Sequence, residues 1–367
     1  MDSVKKTALF DVHEKLGGKV IDFAGWALPV QYEGIIEEHE AVRNAAGMFD
    51  VSHMGEVEVK GKDAFAFVQN LVTNDVATLE DHQILYGMMC YEEGGVVDDL
   101  LVYKLNSESF YLVINASNVD KDYAWMVEQS KGYHLTLENV SDRISEVALQ
   151  GPVAQEILQK VVDVDLAEIK FFYCNPNVTI AGAKCLVSRT GYTGEDGFEV
   201  YTENENIVKV WETIMEAGKG KGLKPAGLGC RDTLRFEAAL PLYGNEISKE
   251  ITPLEAGLGF FVKLGKDNFI GKDALVTQKE AGLPRKTVGF EMEKGIPRHG
   301  YDVVVDDKVV GVVTTGYFSP TLKKNIGLAL VESAYAEMGG ALGIQVRKKV
   351  FPATICSKRF YQKNYKK

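Results

Sequence analysis

The chain has 367 residues, 46% hydrophobic and 25% charged, a globular composition long enough for two or three domains whose cores need no disulfide or metal to hold them. Its 52 acidic and 41 basic side chains leave a net charge of −11, which repels a phosphate backbone and argues against broad nucleic-acid binding. The opening MDSVKKTALFDVHEKLGG lacks the apolar centre of a signal peptide and no run approaches the ~20 apolar residues of a membrane span, while the five cysteines are scattered without a CxxC, so a reduced, cytoplasmic protein with no contact to membrane is expected.

In chain order, 33–46 reads as an amphipathic helix with Ile36, His39 and Val42 near helical spacing. Segments 55–60, 95–105 and 109–116 alternate or run apolar and read as strands, with helices at 63–71 and 118–129 between and after them. Further helices are expected at 151–162 and 204–217. The mixture lacks regular βαβ spacing, which argues for an α+β fold over a doubly wound sheet. Beyond residue 275 the texture changes. Segments 287–293, 301–305, 308–315, 325–331 and 343–356 are short and β-branched, parted by turn signals such as Asp306-Asp307 and Gly339-Gly340. They predict a small all-β barrel or sandwich behind a connector near 275–286. No internal repeat is legible.

The usual marks of several chemistries are missing: there is no GxxxxGK[ST], no GxGxxG after a strand, no HExxH, GxSxG or SxxK, and the six histidines form no helical metal pair. What remains points to carboxylates, arginines and a bound small molecule. In GGVVDDLLVY (94–103) a glycine turn enters an apolar strand. Alternation puts Val97, Asp99, Leu101 and Tyr103 on one face and Asp98 with Leu100 on the other. One carboxylate is then either partly buried and tunable or a solvated turn residue. In SRTGYTGEDGFE (188–199) three glycines bend the chain around Arg189, Tyr192, Glu195, Asp196 and Glu199, as a ligand-facing loop or as a hairpin with a solvated charge run. In GLGCRDTLRFE (227–237) Arg231 falls in the first turn of a helix, where the dipole disfavours a cation. Such a residue binds an anion or pairs with a neighbouring acid. MFDVSHM (48–54) reads as a core-lining loop with a satisfied histidine.

With DFAGW (22–26), EHEAVR (38–43), VINASN (113–118), LQGP (149–152), LYGNE (242–246), TPLEAGLGF (252–260), GIPRHGY (295–301) and SPTLKKNIGLAL (319–330), these segments resemble the T-protein family of the glycine cleavage system, in the family's order and over nearly the whole chain. The resemblance implies three lobes around a central hole. Residues 1–275 would form a folate-binding region of two interleaved α+β lobes, and 284–367 the C-terminal barrel. It implies an aminomethyltransferase that takes the aminomethyl group from the lipoyl arm of the H-protein and gives its methylene to tetrahydrofolate, releasing ammonia. Metal, flavin, nicotinamide and pyridoxal phosphate would not be needed.

The family's catalytic aspartate matches Asp99 and its pterin-recognising glutamate matches Glu199. Arg231, Tyr86, Val113, Asn115 and Tyr192 match other folate-pocket positions, and Tyr365 a substrate-contacting tyrosine. Phe171 stands where some relatives carry tyrosine, and Cys230 departs from GLGARD. Folate-dependent demethylases and non-catalytic folate-binding assembly factors share parts of the pattern; the assembly factors usually lack the paired aspartates. The stretch 346–367 holds eight cations and no acid, so it is expected to steer an acidic partner or the anionic folate tail, or to lie solvated.

Overall fold

The protein is described from a computed structural model covering residues 4–366, so Met1, Asp2 and Ser3 of the expected region 1–275, and Lys367 of the expected barrel 284–367, lie outside the described residues. Two sheets and a barrel carry the architecture. A five-stranded sheet has the order Ile84–Cys90, Val96–Asn106, Ser109–Ile114, Gly55–Lys60, Thr136–Asn139. A six-stranded sheet has the order Cys174–Ile180, Ala183–Ser188, Gly197–Glu203, Ile144–Gln150, Ala46–Asp50, Leu223–Pro225. Six strands between Arg285 and Cys356 close into the C-terminal barrel. Each of the three has its own apolar core.

The two sheets are built by the same succession of elements. Strand, helix, 3-10 turn, three antiparallel strands, helix and strand run from Gly55 to Asn139, then again from Ile144 to Pro225. The second sheet differs in admitting Ala46–Asp50 between its first and last strands. Small details repeat as well. Asp75 accepts from the Ala77 N–H while Gln69 Oε1 accepts from the Val76 N–H; Asp165 and Gln159 do the same for Ala167 and Leu166. The sequence shows no repeat because only polar caps and turn geometry are chemically specified. At core positions any apolar residue of suitable volume serves, as Val76 and Leu166 show.

The two units clasp each other at their first strands. Ser52 Oγ donates to the Glu146 carbonyl at 3.1 Å and accepts from the Glu146 N–H at 3.1 Å. Ser141 Oγ accepts from the Glu56 N–H at 2.9 Å and donates to the Glu56 carbonyl at 3.4 Å. Each serine lies just ahead of one unit's first strand and holds the first strand of the other.

Most elements sit where periodicity puts them. In Asn204–Ala217 the apolar stripe Ile207, Val210, Trp211 and Ile214 recurs at helical spacing and is buried. Four expectations need correction. In Ile35–Asn44 the buried residues are Glu38, His39 and Val42, whereas Ile36 is exposed, because the buried face meets polar partners rather than a core. The helix expected over 151–162 is only Ala154–Leu158. The stretch 343–356 is a hairpin, Ala341–Val346 and Lys349–Cys356, turned at Arg347 with φ +58°. Finally, Val97 belongs to the core side with Leu100 and Val102: a bulge opposite Met89 and Cys90 interrupts the alternation before Asp98.

The loop after Ala183–Ser188 is rigid. Arg189 grips Asp196 through Nε and Nη2, both at 2.9 Å, and donates to the carbonyls of Leu166 and Ile169, all out of water. The solvated charge run is therefore excluded at these two residues. Breaking such a pair strands a buried guanidinium, so Asp196→Asn should lower the unfolding free energy by ~3 kcal/mol in urea titration. Glu332→Gln, which breaks the exposed pair with Lys308, should leave the midpoint in place.

Candidate active site

The two units and the C-terminal segment enclose a cavity of about 470 Å³. All nine residues expected at a site line it: Tyr86, Asp99, Val113, Asn115, Phe171, Tyr192, Glu199, Arg231 and Tyr365. They come from both units, from the helix Leu228–Glu237 and from the end of the chain.

Asp99 lies on Val96–Asn106, half-buried, with its side chain toward the cavity. The Tyr86 hydroxyl on the neighbouring strand donates to Asp99 Oδ2 at 2.9 Å. The Asn115 amide bridges the two aspartates, reaching Asp99 Oδ1 at 2.7 Å and Asp98 Oδ1 at 2.9 Å. Asp98 itself is fully buried on the other side of the strand, where Asn118 and the Asn115 N–H complete its bonds. Behind it Asp122 is pushed up to about 10 by burial and by Asp98. Burial and the Asp98 charge likewise raise Asp99 to about 7, against the two hydrogen bonds from Tyr86 and Asn115 that favour its ionised form. The carboxyl is thus held where it can exchange a proton at neutral pH.

The other wall belongs to the six-stranded sheet. Glu199 is buried on Gly197–Glu203 and accepts from the Thr190 hydroxyl. Burial raises its pKa, opposed by that bond and by Arg231. The Arg231 guanidinium makes no hydrogen bond to the protein among the described residues; it lies 4.9 Å from the Tyr192 ring centre and Nη1 is buried without a partner. It pairs with no acid, which leaves the anion- or acceptor-binding reading. Tyr192 is anchored by donating to the Pro241 carbonyl. His53, near Arg231, is buried with Nδ1 unpartnered, so the expected satisfied histidine is not found; burial and then Arg231 lower its pKa to about 4 and keep it neutral.

The C-terminal segment folds over the cavity. Tyr365 stacks on Phe171 at 4.4 Å and 23°. The Tyr361 hydroxyl donates to Glu195 at 2.6 Å while its ring covers the Arg43 guanidinium at 3.9 Å, and the Asn364 N–H reaches the Gly194 carbonyl at 2.8 Å. Lys358 is half-buried and donates to the Ala256 carbonyl at 3.3 Å, so it is not the free steering cation the sequence suggested. Lys363 reaches the cavity wall.

Sequence reasoning missed Glu146, Tyr201 and Phe261 at the cavity. Glu146 had a signal, an acid inside the apolar strand ISEVALQ. Phe261 had none: a 3-10 turn, Gly259–Phe261, carries it edge-on to Tyr86 at 4.8 Å.

A cavity that brings together one carboxyl raised to about neutrality, a second buried carboxyl and an arginine whose guanidinium is unpartnered has the features of an enzyme site that can exchange protons with a bound polar ligand. The family model for the GCVT N-terminal domain matches residues 9–266, and that for the glycine cleavage T-protein C-terminal barrel domain matches 285–362. Proteins named aminomethyltransferase from Alkaliphilus oremlandii and Thermoanaerobacter pseudethanolicus are each 66% identical, and one from Clostridium botulinum is 58% identical, all covering the whole of both chains. The crystal structure of glycine cleavage system aminomethyltransferase T from Bartonella henselae superposes with a TM-score of 0.92 at 30% identity over the full length of both. The chain belongs to the glycine cleavage T-protein family, the aminomethyltransferases.

Tyr86→Phe removes a hydrogen bond that favours ionised Asp99. The Asp99 carboxyl should then titrate above about 7, which an infrared titration of its carboxylate band would report. A midpoint at or below the wild-type value contradicts the arrangement.

Proposed function

We propose that the cavity binds tetrahydrofolate and that the chain transfers to it the methylene of an aminomethyl group carried on the lipoyl arm of an H-protein. The observation that carries the reading is the pairing of unlike walls: Asp99, raised to about neutrality by burial and by Asp98, shares one cavity with Glu199 and the unpartnered Arg231. A pterin presents an amide N–H beside an exocyclic amine, a donor pair that one carboxylate accepts. Its carbonyl suits an arginine donor. With that end held by Glu199, the reacting amines N5 and N10 are left for Asp99.

The chemistry balances without an electron carrier. N5 and N10 each form a bond to the methylene carbon, whose bonds to nitrogen and sulfur break. The two protons leaving N5 and N10 end on ammonia and on the lipoyl thiol. The carbon keeps its oxidation state, so the reading calls for no flavin or nicotinamide, and the aminomethyl donor arrives ready-made, so it calls for no pyridoxal phosphate or metal. Ionised Asp99 steadies the cationic methylene intermediate through its charge and then takes the proton from the amine that closes the bridge. Tyr86 and Asn115 aim it. Phe171, Tyr365 and Tyr192 cover the cavity with ring surface, and Val113 supplies apolar wall. A reducing, cytoplasmic setting agrees with five unpaired thiols and with the absence, among the described residues, of any helix long and apolar enough to cross a membrane.

The deciding experiment mixes the chain with aminomethylated H-protein and tetrahydrofolate and follows ammonia and 5,10-methylenetetrahydrofolate. Transfer from free methylated amines but not from the H-protein would favour a demethylase. Folate binding with no transfer would favour an assembly factor. Asp99→Asn should keep the fold and folate affinity and lose ~10²–10⁴-fold in kcat. In wild type, protonation of Asp99 removes the base, so kcat should fall as pH drops through about 7 and lose ~10-fold per unit well below it. A wild-type rate unchanged between pH 8 and pH 5.5 would remove Asp99 from the chemistry. Glu199→Gln places a donor against donors and should weaken tetrahydrofolate binding by ~1–3 kcal/mol, read by fluorescence titration.

A further inference from the structure

Around the recognition wall several buried polar atoms have no partner: Glu146 Oε2, both carboxyl oxygens of Glu56, Arg231 Nη1 and His53 Nδ1. Of these residues, Glu146 and Arg231 line the cavity. Glu146 is 2% exposed and lies on Ile144–Gln150, directly opposite Tyr201 on Gly197–Glu203, while Glu199 lies opposite Ala148 two positions along. Glu146 and Glu199 are therefore diagonal neighbours on one face of the sheet, a spacing that long side chains can bridge, and both line the same cavity.

Two carboxyls this close in a dry site share a proton rather than both ionise. The surroundings decide which keeps it. Glu199 accepts from the Thr190 hydroxyl and has Arg231 near, and both favour its charge. Glu146 is deeper among acids: burial comes first, then the charges of Glu199 and Glu56, in raising its pKa well above the carboxylate range, and Arg231 and the Tyr201 hydroxyl only partly oppose them.

We propose that Glu146 is a positioning residue for ligand recognition: as the neutral acid of the pair it donates a hydrogen bond to Glu199 and fixes that carboxylate as the ionised acceptor for a ring edge carrying an amide N–H beside an exocyclic amine. The inference rests on the tetrahydrofolate reading and adds to it a second residue that no direct match to the family pattern pointed out. Glu146 acts through Glu199, so its effect belongs to the pterin end of the ligand and is independent of the glutamate tail.

The test uses the full-length chain with Glu146→Gln, which keeps a neutral donor, and with Glu146→Met and Glu146→Leu, which fill the space without one. An apolar side chain there leaves no unpaired charge, so at least one of the two is expected to fold, and thermal melts verify it. Fluorescence titration with tetrahydrofolate and with tetrahydropterin lacking the tail gives the dissociation constants. The glutamine variant should bind both within about threefold of wild type, and the donorless variants at least about tenfold more weakly, with kcat at saturating tetrahydrofolate largely kept. A donorless variant binding as tightly as wild type, or a glutamine variant as weak as the donorless ones, overturns the proposal while the folate reading stands. A folded wild type that binds neither ligand removes both.

Discussion

Carboxyl groups buried at the cavity and behind its wall are the constraint from which most of this structure follows. Asp98, Asp122, Glu56 and Glu146 are all shut away from water close to the cavity, and a lone charge there would cost more than a domain's margin of stability. Three devices keep them tolerable. Asparagines at 115 and 118 give donors to Asp98. The serine clasps fix the backbones of Glu56 and Glu146, so neither strand can slide to expose its acid. Protons are retained, as burial enforces for Asp122, Glu56 and Glu146. Asp99 takes its near-neutral pKa first from burial and then from the Asp98 charge beside it.

Rigidity around the cavity has the same electrostatic origin. Arg43 reaches Glu195 at 2.9 Å and Glu237 at 3.0 Å, joining the glycine loop to the helix that carries Arg231. The barrel joins the same brace: Ser319 donates to Glu237, and Thr315 donates to Glu246, which pairs with Arg235 at 2.8 Å. The barrel thus acts on the site at second hand, by locking the helix Leu228–Glu237. The glycine loop is held equally closely. A Cβ on Gly191, at φ +157°, would meet the Gln150 amide at 2.0 Å, so that side chain can bond the Thr190 carbonyl only because glycine leaves the space.

The sequence carried the parts of this arrangement that are local. Helical spacing in 204–217 and the glycine turn before Val96 needed no tertiary knowledge, and side-chain alternation put Asp98 and Asp99 on opposite faces, while the choice of Asp99 came from the family resemblance. The opposition of the two survived the bulge at Val97 because the bulge lies ahead of both aspartates. Residues whose role depends on a partner far along the chain were not legible. Glu146 means little without Tyr201 and Glu199 across the sheet, and Phe261 without Tyr86. The repeat was hidden for a related reason: it is conserved as topology and as a few polar caps, while its core letters are free to change.

Repetition of the unit does not by itself explain why one cavity has two chemically different walls. Glu56 and Glu146 occupy corresponding places, each on its unit's first strand, each held by the other unit's leading serine, and opposite Val113 and Tyr201 on corresponding strands. Two such units packed together give similar walls and, by themselves, no reason for a ligand to prefer one orientation. The middle hairpin breaks the likeness. In the first unit the strand Val96–Asn106 runs for 11 residues and carries Asp99 along the cavity, with Asp98 behind it. In the second, the strand in the corresponding place, Ala183–Ser188, stops after 6 residues and gives way to the glycine loop that brings in Tyr192. On the proposed function, proton transfer falls to one unit and recognition to the other. A ligand with donors at one end and reactive amines at the other then fits the cavity in a single sense.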